Sequence, residues 1–217
     1  MIMMKTFGNM KGIAVALALL AAVVAARAEE NLATVRYNAQ PTGSMMTMDG
    51  TSTIHDWTVT SPLIGGSMEA AAGFPECALT NPAALKPAVN VIIPVRSLKS
   101  YARKMDEVMQ EHLKMDKYPR IEYRLIELKP KSPVGTTGKV EFEATGTLFV
   151  SGETRTNVMP VTIEHVDGGK LKVTGNTPLK MTDFKVEPPA PKILGMPIIK
   201  TGDDITIKVE WLVAPKK

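Results

Sequence analysis

Three histidines, one cysteine and a cluster of methionines carry most of the reactive chemistry in this chain, and their spacing argues against a catalytic centre. His55, His112 and His165 fall in three separate segments, and only His55 has an acid beside it, Asp56. Within a strand, adjacent side chains point to opposite faces, so this pair acts as a dyad only if a bulge breaks the alternation. His112 lies on an apolar helical stripe and His165 on the face that carries Val161 and Ile163, and both read as structural histidines. The sequence has no HExxH, no paired cysteines, no G-x-S-x-G elbow and no phosphate loop, so hydrolysis and metal catalysis lack support. Met45, Met46 and Met48 offer soft thioethers of the kind that select Cu(I). Met46 and Met48 would share one strand face, and Met45 and Met48 are too close to make a site without partners. Packing, or the lining of an apolar cavity, is the favoured reading. Cys77 stands alone in an alanine- and proline-rich stretch, with no activating neighbour in sequence, and reads as a buried or half-buried free thiol. No catalytic residue, metal site or cofactor is assigned.

The segment from Ser97 to Leu125 says most about what positions these residues. Met105, Val108, Met109, His112 and Leu113 recur at helical spacing, with charged and amide side chains between them, which predicts an amphipathic helix over Arg103 to Lys114. Pro119 pushes Tyr118 out of the helical region and ends the helix. Ile121, Tyr123 and Leu125 then alternate with Glu122 and Arg124, the pattern of a half-buried strand.

The first residues read as an address. Lys5 and Lys11 precede an unbroken apolar run from Ile13 to Val24, and Ala26-Arg27-Ala28 offers a small-x-small cleavage site, so residues 1–28 are expected to be a secretory signal peptide cut after Ala28. Of the 26 basic side chains, Lys5, Lys11 and Arg27 lie in that leader, which leaves 23 against 22 acids and no electrostatic footprint for nucleic acid. Residues 29–217 are then one domain's worth of chain.

Strands are expected over Leu32–Asn38, Thr51–Thr60, Gly65–Ala71, Val89–Val95, Arg120–Lys129, Gly138–Val150, Arg155–Val166, Leu171–Thr174 and Asp204–Val213. Ser151-Gly152-Glu153 and Asp167-Gly168-Gly169 mark turns. Many strands at short spacing argue for a mainly β antiparallel barrel or sandwich, and the pattern alone does not separate the two.

Several of these segments resemble the YceI-like family of secreted bacterial proteins. EHLK (Glu111–Lys114), KYP (Lys117–Pro119) and IEYRL (Ile121–Leu125) occur in the family's order with GTSTIHDWTVTSPLIGG (Gly50–Gly66), VNVIIPVRSLKS (Val89–Ser100), ATGTLFVSGETR (Ala144–Arg155), GKLKVTG (Gly169–Gly175) and TDFKV (Thr182–Val186). The connections from Ala71 to Pro87 and from Glu187 to Gly202 are longer than the family pattern. The resemblance implies a single antiparallel, lipocalin-like β-barrel of about eight strands with one short amphipathic helix. It also implies a binding protein rather than an enzyme: a periplasmic carrier of a long-chain isoprenoid lipid, of quinone or polyprenyl type, with transient membrane contact.

On that reading the helix lies near a mouth of the barrel, where Met105 and Met109 would face the guest. Trp57, Tyr118 and Tyr123 join an apolar body to a polar tip and are candidates for ligand contact. Ile54, Val91, Ile93, Leu125, Phe142 and Phe149 are candidate lumen residues, on faces that suit a tunnel or a packed core equally. Ten of the 14 methionines lie beyond the leader, and thioethers adapt to an irregular apolar guest. The rivals are a non-catalytic stress or structural protein with a solid core, a small periplasmic hydrolase or isomerase, and a Cu(I)-binding protein.

Overall fold

Alternation of apolar and polar residues continues for most of the chain, and in three dimensions it closes into a barrel. The computed structural model describes residues 33–190, 192, 193, 196, 197 and 199–216, so the expected signal peptide lies outside the described residues. The strands are β1 (Thr34–Ala39), β2 (Met45–Ser52), β3 (Trp57–Ser61), β4 (Gly65–Ala71), β5 (Ala88–Pro94), β6 (Arg120–Pro130), β7 (Lys139–Val150), β8 (Glu153–Val166), β9 (Lys170–Lys180), the short pair β10 (Lys192–Ile193) and β11 (Met196–Pro197), and β12 (Thr201–Pro215). One α-helix, α1 (Arg103–His112), falls between β5 and β6, with Leu113 as its C-cap.

Eight strands pair in the antiparallel order β1-β4-β5-β6-β7-β8-β9-β12, and β12 returns to β1 to close the ring. β12 can do this because it is long enough to share one edge between two partners. Ile205 to Glu210 run against Gly50 to Met45 of β2, while Val213 to Pro215 run against Ala39 to Tyr37 of β1. The β2–β3 hairpin thus extends the wall at one end only. Its far strand is held by paired backbone bonds between Thr60 and Lys99 at 2.8 and 2.9 Å.

The alternation sets what faces inward. In β12, Ile205, Ile207, Val209, Trp211 and Val213 face in. Outside, Lys208 meets Asp49 at 2.9 Å and Glu210 meets Lys172 at 2.7 Å. β6 keeps its apolar face inward along its whole length only through a register shift between Leu125 and Glu127, which leaves Ile126 53% exposed and returns Leu128 to the interior.

Most expected strands shift by three residues or fewer at their ends, and two depart further. Thr51–Thr60 is broken by a turn, in which the Ser52 N–H and hydroxyl both donate to the His55 carbonyl at 3.1 and 2.7 Å, so His55 and Asp56 sit in a loop between β2 and β3. The strand expected to end at Thr174 runs on to Lys180, with Pro178 opposite Thr206 of β12, in the stretch of β9 beyond Gly175 where pairing with β8 has already ended. The tight turn at Ser151 and Gly152 has φ of +52° and +94°, the mirror-image geometry that a two-residue hairpin requires.

Candidate functional site

The interior is solid at one end and hollow at the other. At the solid end Phe74, from the connection after β4, is fully buried and stacks on Phe142 with ring centroids 5.8 Å apart. Val140, Leu171 and Val213 are likewise fully buried and complete this floor. Above it lies a cavity of about 500 Å³, walled almost entirely by apolar side chains and within the size range of small-molecule sites.

α1 forms part of the opposite end of that cavity. Met105, Val108, Met109, His112 and Leu113, the stripe legible in the sequence, all line it. The helix is tied down on two sides. The Asp106 carboxylate, 8% exposed, accepts from the Ser100 N–H and hydroxyl, both at 2.7 Å, with Lys99 at 3.5 Å. Burial alone would raise its pKa, but the Ser100 bonds and the lysine outweigh it and hold the carboxyl below its ordinary value. On the other side His112 Nδ1 lies 2.8 Å from the Glu187 carbonyl, joining the helix to the segment that follows Phe184.

Two aromatic rings lie flat against the wall over glycines. Trp57 crosses Gly50, its direct partner in β2, and donates from Nε1 to the Thr51 carbonyl at 3.0 Å. Tyr123 lies across Gly146 of β7, where a Cβ would collide with both the ring and the hydroxyl. Glycine at these two positions lets an aromatic side chain line the lumen without filling it.

Eight of the candidate residues come together on the cavity: Ile54 and Trp57 around the β2–β3 turn, Val91 and Ile93 of β5, Met105 and Met109 of α1, and Tyr123 and Leu125 of β6. Three lie elsewhere. Phe142 faces inward but belongs to the packed floor. Phe149 is seven residues further along the same strand, so it must face the other way, and on the outside it meets Tyr118 edge-on at 5.9 Å. Tyr118 is carried there by the helix exit, with its ring against Gly152. Leu148, Met159 and the inward face of β12 also line the cavity without having been expected there. For β12 the available signal is the apolar alternation at its odd-numbered positions.

His55 and His112 both line the cavity, but each ring pairs with a backbone carbonyl and neither makes a dyad with an acid. His55 Nδ1 is 2.7 Å from the Asp56 carbonyl oxygen rather than a carboxylate, and His165 meets Glu76 at 3.3 Å near the far end of β8. Met46 and Met48 line the cavity, whereas Met45 lies on the opposite face of β2. Among the described residues no group of three His, Cys, Asp or Glu side chains is placed to hold a metal ion. Cys77 is a half-buried free thiol, its pKa raised by burial and then by neighbouring Glu76.

The model of the YceI-like domain matches residues 30–212. This chain belongs to the YceI-like family. No curated protein matches it. Among solved structures, it is similar to BcnA of Burkholderia cenocepacia at 17% identity and a TM-score of 0.62, over 81% of this chain and 99% of that one. It is also similar to a polyisoprenoid-binding domain from Saccharophagus degradans implicated in plant cell wall breakdown, at 10% identity and a TM-score of 0.61, over 84% and 99% of the two chains. These likenesses establish a shared fold: the YceI-like barrel, with its helix, is the architecture that the family resemblance implied and that the strand pattern alone left open between barrel and sandwich.

Proposed function

We infer that this YceI-like protein binds a long-chain isoprenoid lipid in its barrel and carries it, after secretion, through an aqueous compartment of periplasmic type. The observation that carries the reading is the hollow half of the barrel: an apolar cavity of about 500 Å³ closed below by a packed aromatic floor and bordered above by a helix with an apolar underside. The polyisoprenoid-binding activity of the Saccharophagus degradans domain gives the same reading for the shared fold. An isoprene unit leaving water gains at most about 4 kcal/mol, from about 0.8 kcal/mol per buried CH₂. Several units therefore make a chain that cannot cross water alone and that an apolar lumen can hold without chemistry. Binding, not turnover, is the proposed activity.

The test is mass spectrometry of organic extracts from protein purified from the periplasm without detergent. A stoichiometric isoprenoid, quinone or polyprenyl in type, is expected. Protein that emerges empty and also fails to take up added isoprenoid overturns the reading in favour of a binding or structural role on the outer surface.

A further inference from the structure

The lumen is not uniformly apolar. Tyr123 Oη is buried and has no hydrogen-bond partner among the described residues, and burial pushes the phenol pKa up to about 12. The hydroxyl lies over Gly146, and directly across from Gly146 in β8 is Asn157. Asn157 Nδ2 in turn donates to Thr177 Oγ1 of β9 at 3.2 Å, and Thr177 is only 5% exposed. All three side chains line the cavity, so a phenol, a carboxamide and a hydroxyl form one polar band across β6 to β9. Deeper in, Trp211 is 2% exposed, lines the same cavity, and holds Nε1 without an acceptor. Buried phenol and indole groups ordinarily find partners, and leaving one unpaired is destabilising.

The charge distribution restricts what could pair with them. Among the described residues the cavity lining contains no Asp, Glu or Arg; its basic groups are Lys104 and His112 on α1 and His55 in the β2–β3 turn, and none of them comes from β6 to β9, which carry the polar band. A phosphate or carboxylate drawn down to the level of Tyr123 would be buried without a counter-charge, which is strongly unfavourable. An uncharged oxygen meets no such penalty and suits donors such as a phenol, an amide and an indole N–H.

Building on the carrier reading, we propose that Tyr123, with Asn157 and Thr177, forms a polar subsite inside the barrel for a neutral alcohol or carbonyl oxygen, selecting an uncharged oxygenated isoprenoid over a phosphorylated or purely hydrocarbon chain. The guest's oxygenated end enters the lumen rather than remaining at the mouth.

The experiment measures displacement of a fluorescent apolar probe by geranylgeraniol, geranylgeranyl phosphate and phytane, a hydrocarbon of similar chain length. The wild-type protein should prefer the alcohol. Tyr123→Phe keeps the ring over Gly146 and removes only the hydroxyl, so alcohol binding should weaken about 5- to 10-fold, as expected for one lost hydrogen bond, while phytane binding stays within about twofold. Asn157→Leu should reproduce the selective loss, and unchanged thermal melting of both variants shows that they fold. Gly146→Ala, which drives the Tyr123 ring off the wall, should instead weaken the alcohol and the hydrocarbon alike. Equal effects of Tyr123→Phe on alcohol and hydrocarbon, or no effect on either, overturn the polar subsite. Tighter binding of the phosphate than of the alcohol overturns the selection for uncharged chains. If none of the three chains binds the wild-type protein, the carrier reading fails as well, which separates the two failures.

Discussion

The two ends of the barrel are built from the same strands and the same alternation, yet one is a core and the other a cavity. In β7, Val140 and Phe142 are buried to 0% and 1% exposure, whereas Leu148 and Val150 on the same inward face border open space. The difference lies in what crosses the interior. At the solid end a loop inserts Phe74 between the walls. At the hollow end two of the lining aromatics, Trp57 and Tyr123, lie flat over Gly50 and Gly146 instead of projecting across. A barrel of eight strands is wide enough for either outcome, so filling is decided by a few side chains rather than by the strand pattern.

That contrast is broken most forcefully at the floor. Phe142→Ala should cost about 3–5 kcal/mol of folding stability, because it removes a fully buried ring and strands Phe74 above a void. Leu148→Ala, on the same strand and face but beside the cavity, should cost clearly less, since its neighbours already face open space. Urea denaturation of the two variants makes the comparison; similar losses would mean that the two ends are packed alike.

A smaller effect is expected at the wall. A Cβ at position 50 would collide with the Trp57 ring, so Gly50→Ala must swing the indole into the lumen and break its bond to Thr51. Overpacking and the lost hydrogen bond together should cost about 1–3 kcal/mol. A change in indole emission accompanied by loss of apolar probe binding would show that the ring's flat pose keeps the cavity open. Unaltered emission and binding would show that the wall gives way instead.

Much of this arrangement is legible in the sequence, and the parts that are not have definite causes. The helix is legible because five apolar-face residues at helical spacing fit no strand period, and most strands because alternation survives from end to end. Phe142 and Phe149 do not share one lumen, since an odd separation within a strand puts side chains on opposite faces. The turn at Ser52–His55 is hidden because threonine, isoleucine and histidine read locally as strand, while the break depends on the Ser52 hydroxyl folding back onto a carbonyl. The hollow itself is invisible in composition: it depends on which glycine lies beneath which ring, a cross-strand relation fixed by register. Asp106, on the helix's polar face by spacing, is buried for the same kind of reason. Its burial comes from Ser100, six residues away, and not from its position relative to the stripe.

Asp106 sharpens the comparison by isolating the latch of the helix from the barrel. Its carboxyl titrates below the ordinary carboxylate range, so the folded protein holds that proton less tightly than the unfolded chain does. The resulting stabilisation is complete above the unfolded pKa, near 4, and is lost as pH falls through the lower folded value. Asp106→Asn should therefore destabilise by about 1–2 kcal/mol at neutral pH, with the gap to wild type closing below about pH 4. Thermal melting across that range checks it; a gap that persists in acid would place the loss in packing rather than in the ionised carboxylate.

The smallest effect on stability, and the most direct on function, is expected from Met109→Lys. Met109 faces the cavity from a helix whose anchoring side chains are Asp106 and His112, so the barrel and both anchors should survive its replacement. The lysine stem is long enough to turn its ammonium toward water, which limits the folding cost to about 1 kcal/mol or less. An apolar chain passing beneath the helix would nevertheless meet a charge at the boundary of the cavity. Lipid uptake should then fall by about tenfold while the melting temperature shifts by only a few degrees. If uptake and melting fall together, α1 is part of the core that the solid end exemplifies; if uptake alone falls, the helix belongs to the hollow end as its cover.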